Sequence, residues 1–205
     1  MKKTIIILLI GFVFISGCCD DPIEIFRYEF EEEELALIPY ESGSKINFIH
    51  SNGYEFEFNV NRTTIWEEQH PFCEWSCCGK EYFSYQQDIT VLKTNYPNLE
   101  IKFIITAATE FVDRYENNTL NIDINNNHYA VLHYDEIYSF QNDTSLTHYE
   151  TIILNEKEYN NVFEIKLNPN FAQDTSFFRP ETILYNKLKG LLQIKTSNNE
   201  TYTIK

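Results

Sequence analysis

Apolar residues in this chain recur at every second position, in short runs that end at Asn- and Gly-bearing turns. A period of two puts successive side chains on opposite faces of a strand, so each run can bury one face and wet the other. A helix would need apolar positions three and four apart. Lys45 to His50 alternates, Ser51-Asn52-Gly53 supplies a turn, and Tyr54 to Val60 alternates again. In that second run Tyr54, Phe56, Phe58 and Val60 share one face and Glu55, Glu57 and Asn59 the other, which is the signature of a hairpin. The pattern returns in Leu99 to Ile105, in Leu120 to Ile124 and, beyond Asn125-Asn126-Asn127, from Tyr129 to Tyr134. Thr151 to Leu154 and Val162 to Leu167 flank a turn at Asn155-Glu156-Lys157. Asn168 to Pro180 reads as a loop; Thr182 to Tyr185, Leu191 to Lys195 and Thr201 to Ile204 read as a closing meander. The sum is about nine to eleven strands at short spacing, with no amphipathic helix longer than about twelve residues. The pattern predicts an all-β fold with little helix, its antiparallel meander forming a strongly curved sheet, a sandwich or a partly open barrel.

Whether such strands can bury a core is a question of composition. The chain is 43% hydrophobic and 16% aromatic, which excludes disorder of the whole. It carries 31 acidic against 16 basic residues, a formal charge of −15, and so lacks the footprint for nucleic acid or an anionic lipid surface. Lys2 and Lys3 precede an apolar run of about eleven residues, Ile5 to Ile15, and then Ser16, Gly17 and Cys18, the layout of a secretory leader. The run is shorter than the roughly 18 to 20 residues a spanning helix needs, and nothing later is apolar for that long. Ile15-Ser16-Gly17-Cys18 resembles the lipobox of bacterial lipoproteins. That resemblance implies cleavage before Cys18 and a covalent diacylglycerol on its sulfur, with no other cofactor. Cleavage removes two lysines and no acid, leaving a formal charge of −17.

The expected organisation is a cleaved leader over 1–17, a lipidated Cys18 with an acidic tether over 18–34, and a single all-β domain over 35–205. The tether holds Asp20, Asp21 and the run Glu31 to Glu34, read as a solvated face passing into an edge strand.

Ile38-Pro39-Tyr40 ahead of Gly43, Tyr159-Asn160-Asn161-Val162-Phe163, and Tyr185 to Ile194 (Tyr-Asn-Lys-Leu-Lys-Gly-Leu-Leu-Gln-Ile) together resemble uncharacterised Bacteroidota-type outer-membrane lipoproteins. Asp20 and Asp21 look like a short version of the acidic tag that follows the lipidated cysteine in some of them. The resemblance implies a lipid-anchored protein of the cell envelope, tied to the outer membrane and facing either the periplasm or the surface. It supplies no catalytic residues.

Candidate chemistry is sparse. His70, Cys73, Cys77 and Cys78 form one dense cluster. An oxidising envelope favours a local disulfide from Cys73 to Cys77 or Cys78 over thiolates, and a tetrahedral zinc site on all four residues is the alternative. Cys19 is left unpaired or joined to the odd cysteine. Asp123, Asn125 and Asn127 match the first ligands of a calcium loop, but His128 stands where glycine is required and Tyr134 where the bidentate glutamate belongs. An Asn-rich hairpin turn is the expectation there. His133 with Asp135 and His148 with Glu150 each share a strand face, which serves a proton relay or simply a polar surface. No nucleophile or metalloprotease motif is present.

The function expected from these residues is a lipid-anchored, non-enzymatic binding module for an envelope protein or glycan, with no catalytic residues. One alternative is a carrier that wraps a lipid or other apolar ligand in its curved sheet; a second is a hydrolase.

Overall fold

A computed structural model describes residues 22–69, 81–107, 119–125, 127–133, 146–167 and 178–205. Twelve strands lie in one sheet: β1 (Ile23–Tyr28), β2 (Lys45–His50), β3 (Glu55–Gln69), β4 (Glu81–Thr94), β5 (Leu99–Thr106), β6 (Thr119–Ile124), β7 (Asn127–His133), β8 (Leu146–Leu154), β9 (Lys157–Lys166), β10 (Pro180–Asn186), β11 (Gly190–Thr196) and β12 (Thr201–Ile204). The one helix among the described residues, α1 (Glu32–Leu35), has four residues. The fold is therefore all-β, an antiparallel meander curled into a half-barrel.

The order β7-β6-β5-β4-β3-β2-β12-β11-β10-β9-β8 joins two meanders. They meet at a seam where β12 pairs with β2, Tyr202 opposite His50 and Ile204 opposite Phe48. The alternation does what it predicts. In β5 every second residue is buried, and Ile101, Phe103 and Ile105 join Phe48, Phe58 and Ile183 in one apolar cluster. Each such side chain contributes about 1.5 to 3 kcal/mol by leaving water. The turns also carry the chemistry expected of them: Gly53, Asn155, Glu156 and Asn199 all have positive φ, as hairpin turns that follow the strand twist require.

Two features depart from expectation. β3 and β4, of 15 and 14 residues, outrun their neighbours. β5 pairs with β4 only from Thr94 back to Gln87. Beyond that point its place beside β4 is taken by β1, which runs parallel to β4 from Ile23 opposite Glu81 to Tyr28 opposite Tyr85. Among the described residues sheet structure thus begins at Ile23, inside the stretch expected as a tether, and the run Glu31 to Glu34 caps and opens α1 instead of continuing an edge strand. Acidic side chains are favourable there because they face the positive end of the helix dipole.

The second feature is a plug. Leu37, Ile38 and Tyr40, just after α1, are buried against the concave face. Arg62 on β3 holds them down. Its guanidinium donates to the carbonyls of Leu35 (3.1 Å), Ile38 (2.8 Å) and Tyr40 (3.1 Å), while its Nε donates to both oxygens of Asp88, at 2.9 and 3.1 Å. The Thr64 hydroxyl donates to the same carboxylate at 2.9 Å. From the other meander, the Tyr185 hydroxyl donates to the Leu37 carbonyl and the Leu191 N–H donates to the Tyr40 hydroxyl. The plug therefore fastens the two meanders to each other across the hollow of the sheet.

Candidate functional site

Antiparallel hairpins that follow one another place their alternate turns at the same end of a sheet. The β2–β3 turn (Ser51 to Gly53) and the β4–β5 turn (Asn95 to Asn98) therefore lie together, and the seam adds Tyr202 of β12 beside them. Between them is a cleft of about 420 Å³ lined by His50, Asn52, Tyr54, Asn95, Tyr96, Pro97, Asn98 and Tyr202. None of these side chains carries a formal charge while the imidazole is neutral.

The cleft is held by local bonds. Asn52 donates its N–H to His50 Nδ1 at 3.3 Å, and the Asn52 side-chain oxygen accepts the Tyr54 N–H at 2.9 Å. The Gly53 N–H donates to the His50 carbonyl at 2.8 Å. The rings form a second framework. His50 lies 4.7 Å from Tyr202, Tyr54 stacks on Phe56 at 6.3 Å, and Tyr96 meets Tyr54 edge-on at 5.1 Å and 88°. Tyr96 is 71% exposed and Tyr54 42%. Glu200 Oε2 sits 3.8 Å from His50 Nε2, outside the cleft lining. Burial, and then the Glu200 charge, push the Tyr202 phenol above its ordinary value, so it remains a neutral hydroxyl at physiological pH. The Asn95 and Asn98 side-chain amides have no hydrogen-bond partner among the described residues.

A second cleft, of about 500 Å³, lies at the β10–β11 turn and is lined by β9 residues including Glu158 and Phe163, with Asn186, Lys187 and Lys189. Its principal amide is already committed. Asn186 donates to the Asn160 carbonyl at 2.6 Å and accepts from the N–H groups of Leu188 and Lys189 at 2.8 and 2.9 Å. Burial lowers the Lys187 pKa, and its ammonium lies 5.9 Å over the Phe163 ring. This cleft is larger, but its amide holds the turn.

The residues singled out in the sequence fall elsewhere. Cys18, Cys19, His70, Cys73, Cys77 and Cys78 lie outside the described residues, as do Tyr134 and Asp135. Asn125 has a φ of 50°, and its side chain accepts the Glu100 N–H at 2.9 Å while its own N–H donates to the Glu100 carbonyl. Asp123 thus lies in β6 and Asn127 in β7, and Asn125 between them ties the end of β6 to β5. In the β6–β7 register His128 stands opposite Asp123 and His133 opposite Thr119. His148 is half-buried against the Phe163 ring, 5.3 Å away, and Glu150 is exposed. His148 lines neither cleft. Among the described residues no three His, Cys, Asp or Glu side chains converge as metal ligands.

Sequence reading passed over His50, Tyr96 and the two asparagines of the β4–β5 turn. The Asn95-Tyr96-Pro97-Asn98 run carried a turn signal. What that run lacks is the neighbour relation, since β4 does not alternate cleanly and no local pattern pairs β12 with β2.

Compared with family models, with curated proteins and with solved structures, the chain matches none.

Proposed function

We propose that this chain is a lipid-anchored protein of the cell envelope that binds a partner without chemical turnover, and that the Tyr54–Tyr96 cleft is where it binds. The observation that carries the reading is the polarity of the β3–β4 pair. Ile23 pairs with Glu81 at one end of β4, and Asn95 and Tyr96 of the cleft follow Thr94 at the other. Roughly 40 Å of strand separates them at the usual rise per residue. A lipid on Cys18, four residues ahead of Pro22, would tether the far end and leave the cleft held away from the bilayer.

The lining supports binding over catalysis. It offers one imidazole, whose nearest carboxylate, Glu200, stands 3.8 Å away outside the lining, and no serine, threonine or cysteine nucleophile. A carrier would use the concave face of the sheet, where Leu37, Ile38 and Tyr40 are seated.

The test is retention of the intact protein on immobilised envelope polysaccharide and envelope protein fractions, with ester, glycoside and peptide substrates assayed beside it. Saturable binding that falls about tenfold in Tyr54→Ala/Tyr96→Ala, with no turnover, is the expected result, in keeping with loss of aromatic contact area. Binding unaffected by the double substitution, or turnover abolished by His50→Ala, overturns the reading.

A further inference from the structure

We infer that the ligand of the Tyr54–Tyr96 cleft is a neutral carbohydrate. The inference rests on the binding reading above and adds the chemical class.

Charge comes first. In a chain of formal charge −15, a cleft whose eight lining residues include no Asp, Glu, Lys or Arg is set apart from the rest of the surface. The field of the molecule would draw a cationic peptide toward this surface, but the lining itself gives it no carboxylate to pair with. An acidic saccharide would meet the repulsive field of the whole molecule and no counter-charge at contact. A neutral ligand suffers neither penalty.

Shape and polarity narrow it further. Tyr96 and Tyr54 present exposed rings at right angles, 5.1 Å apart, so they form two walls of a corner. The face of an aromatic ring carries the negative side of its quadrupole, which attracts the weakly positive C–H groups on the face of a pyranose. Around these walls the Asn95 and Asn98 amides each offer donors and an acceptor, the pairing that vicinal hydroxyls take. A lipid tail would leave those amides without partners, at a desolvation cost. The volume of about 420 Å³ falls within the range of small-ligand sites and suits a short oligosaccharide. The corner is also braced by the chain itself: bonds within the turn fix Asn52 and Tyr54, which lowers the ordering cost of binding.

The experiment applies the intact protein to an array of neutral and acidic glycans, then follows hits by titration calorimetry, with a lysine-rich peptide as the cationic probe. Neutral glycans should bind, with an affinity that is flat between low and high salt. Tyr96→Ala and Tyr54→Ala should each weaken binding about tenfold, whereas Tyr96→Phe, which keeps the ring face, should stay within about threefold of wild type. Because Tyr96 is exposed on a turn, its variants are checked for an unchanged circular dichroism spectrum before titration. The inference is overturned if only acidic glycans or the peptide bind, or if Tyr96→Phe loses as much as Tyr96→Ala. It is also overturned if no glycan binds while an envelope protein fraction is still retained through the cleft, a result that leaves the binding reading intact. Failure of every probe and every fraction removes both.

Discussion

Gly190 and Gly53 both have left-handed φ values, of 76° and 89°, yet their surroundings differ. A Cβ at position 53 would meet nothing within 4 Å, whereas one at position 190 would fall on the Tyr40 hydroxyl and ring. Gly53→Ala should therefore cost only the backbone strain, about 1 kcal/mol, and Gly190→Ala about 3 kcal/mol, because the plug must also move. Urea unfolding of the two variants checks the difference. Arg62 and Asp88 form the other critical contact, with 19% and 1% of their side chains exposed. Removing either partner should destabilise by about 3 to 5 kcal/mol, since a charge is left buried and unpaired. Replacing both, as Arg62→Met/Asp88→Leu, should recover only part of that loss, because the carbonyls of Leu35, Ile38 and Tyr40 also lose their donor. A double-mutant cycle measures the remainder. Burial holds the phenols of Tyr40 and Tyr185 well above the ordinary value, which the unfolded chain would restore to about 10. Their contribution is thus complete below about pH 10 and is lost as pH rises beyond it, at about 1.4 kcal/mol per pH unit for each phenol. Alkaline unfolding of Tyr40→Phe should show a shallower dependence on pH than wild type by one such proton.

Elements differ in how firmly they are held. β5 is paired on both sides and buried at alternate positions, while β1 pairs with β4 alone and is largely exposed. Native-state hydrogen exchange should find the β1 amides opening on the order of a hundredfold more readily than those of β5; equal protection would contradict the docking of β1 as a separate, weaker unit. The same two strands show what sequence reveals and what it hides. β2 and β12 are legible to their last residue, and β5 and β6 to within one, because apolar residues fill most of their inward positions and polar residues most of their outward ones. β4 escapes notice because four of its inward positions are Ser84, Asp88, Thr90 and Thr94, buried polar residues that erase the alternation. That polarity is compensated by a residue far off in sequence, Arg62, which no local pattern contains. β1 escapes for a different reason: its register slips between Glu24 and Phe26, and it lies within an acidic stretch that reads as solvated chain. The site was half legible, since both turns could be found but their adjacency depends on strand order.

Across the whole molecule, the plug and the β2–β12 seam are both long-range closures. Tyr40 reaches Leu191, and His50 reaches Tyr202, each some 150 positions away along the chain. Contacts of that separation slow folding, because the loop must close before the contact gives anything back. The proposed attachment is a separate property of the opposite end: Cys18→Ala should release the protein from membranes or leave it with its leader uncut, and detergent partitioning of a mature-sized variant identical to wild type would remove the lipid from the account. The seam has a consequence in time. His50 and Tyr202 stand opposite one another only once β12, Thr201–Ile204, has reached β2, so the cleft has no wall on that side until that strand is in place. A chain whose β12 has not yet paired with β2 should therefore bind the proposed ligand poorly, even with both turns of the cleft already formed. Pairing of β12 with β2 would then act as a gate on the proposed binding, and removing Thr201–Ile204 should silence the glycan titration however much of the remaining sheet forms.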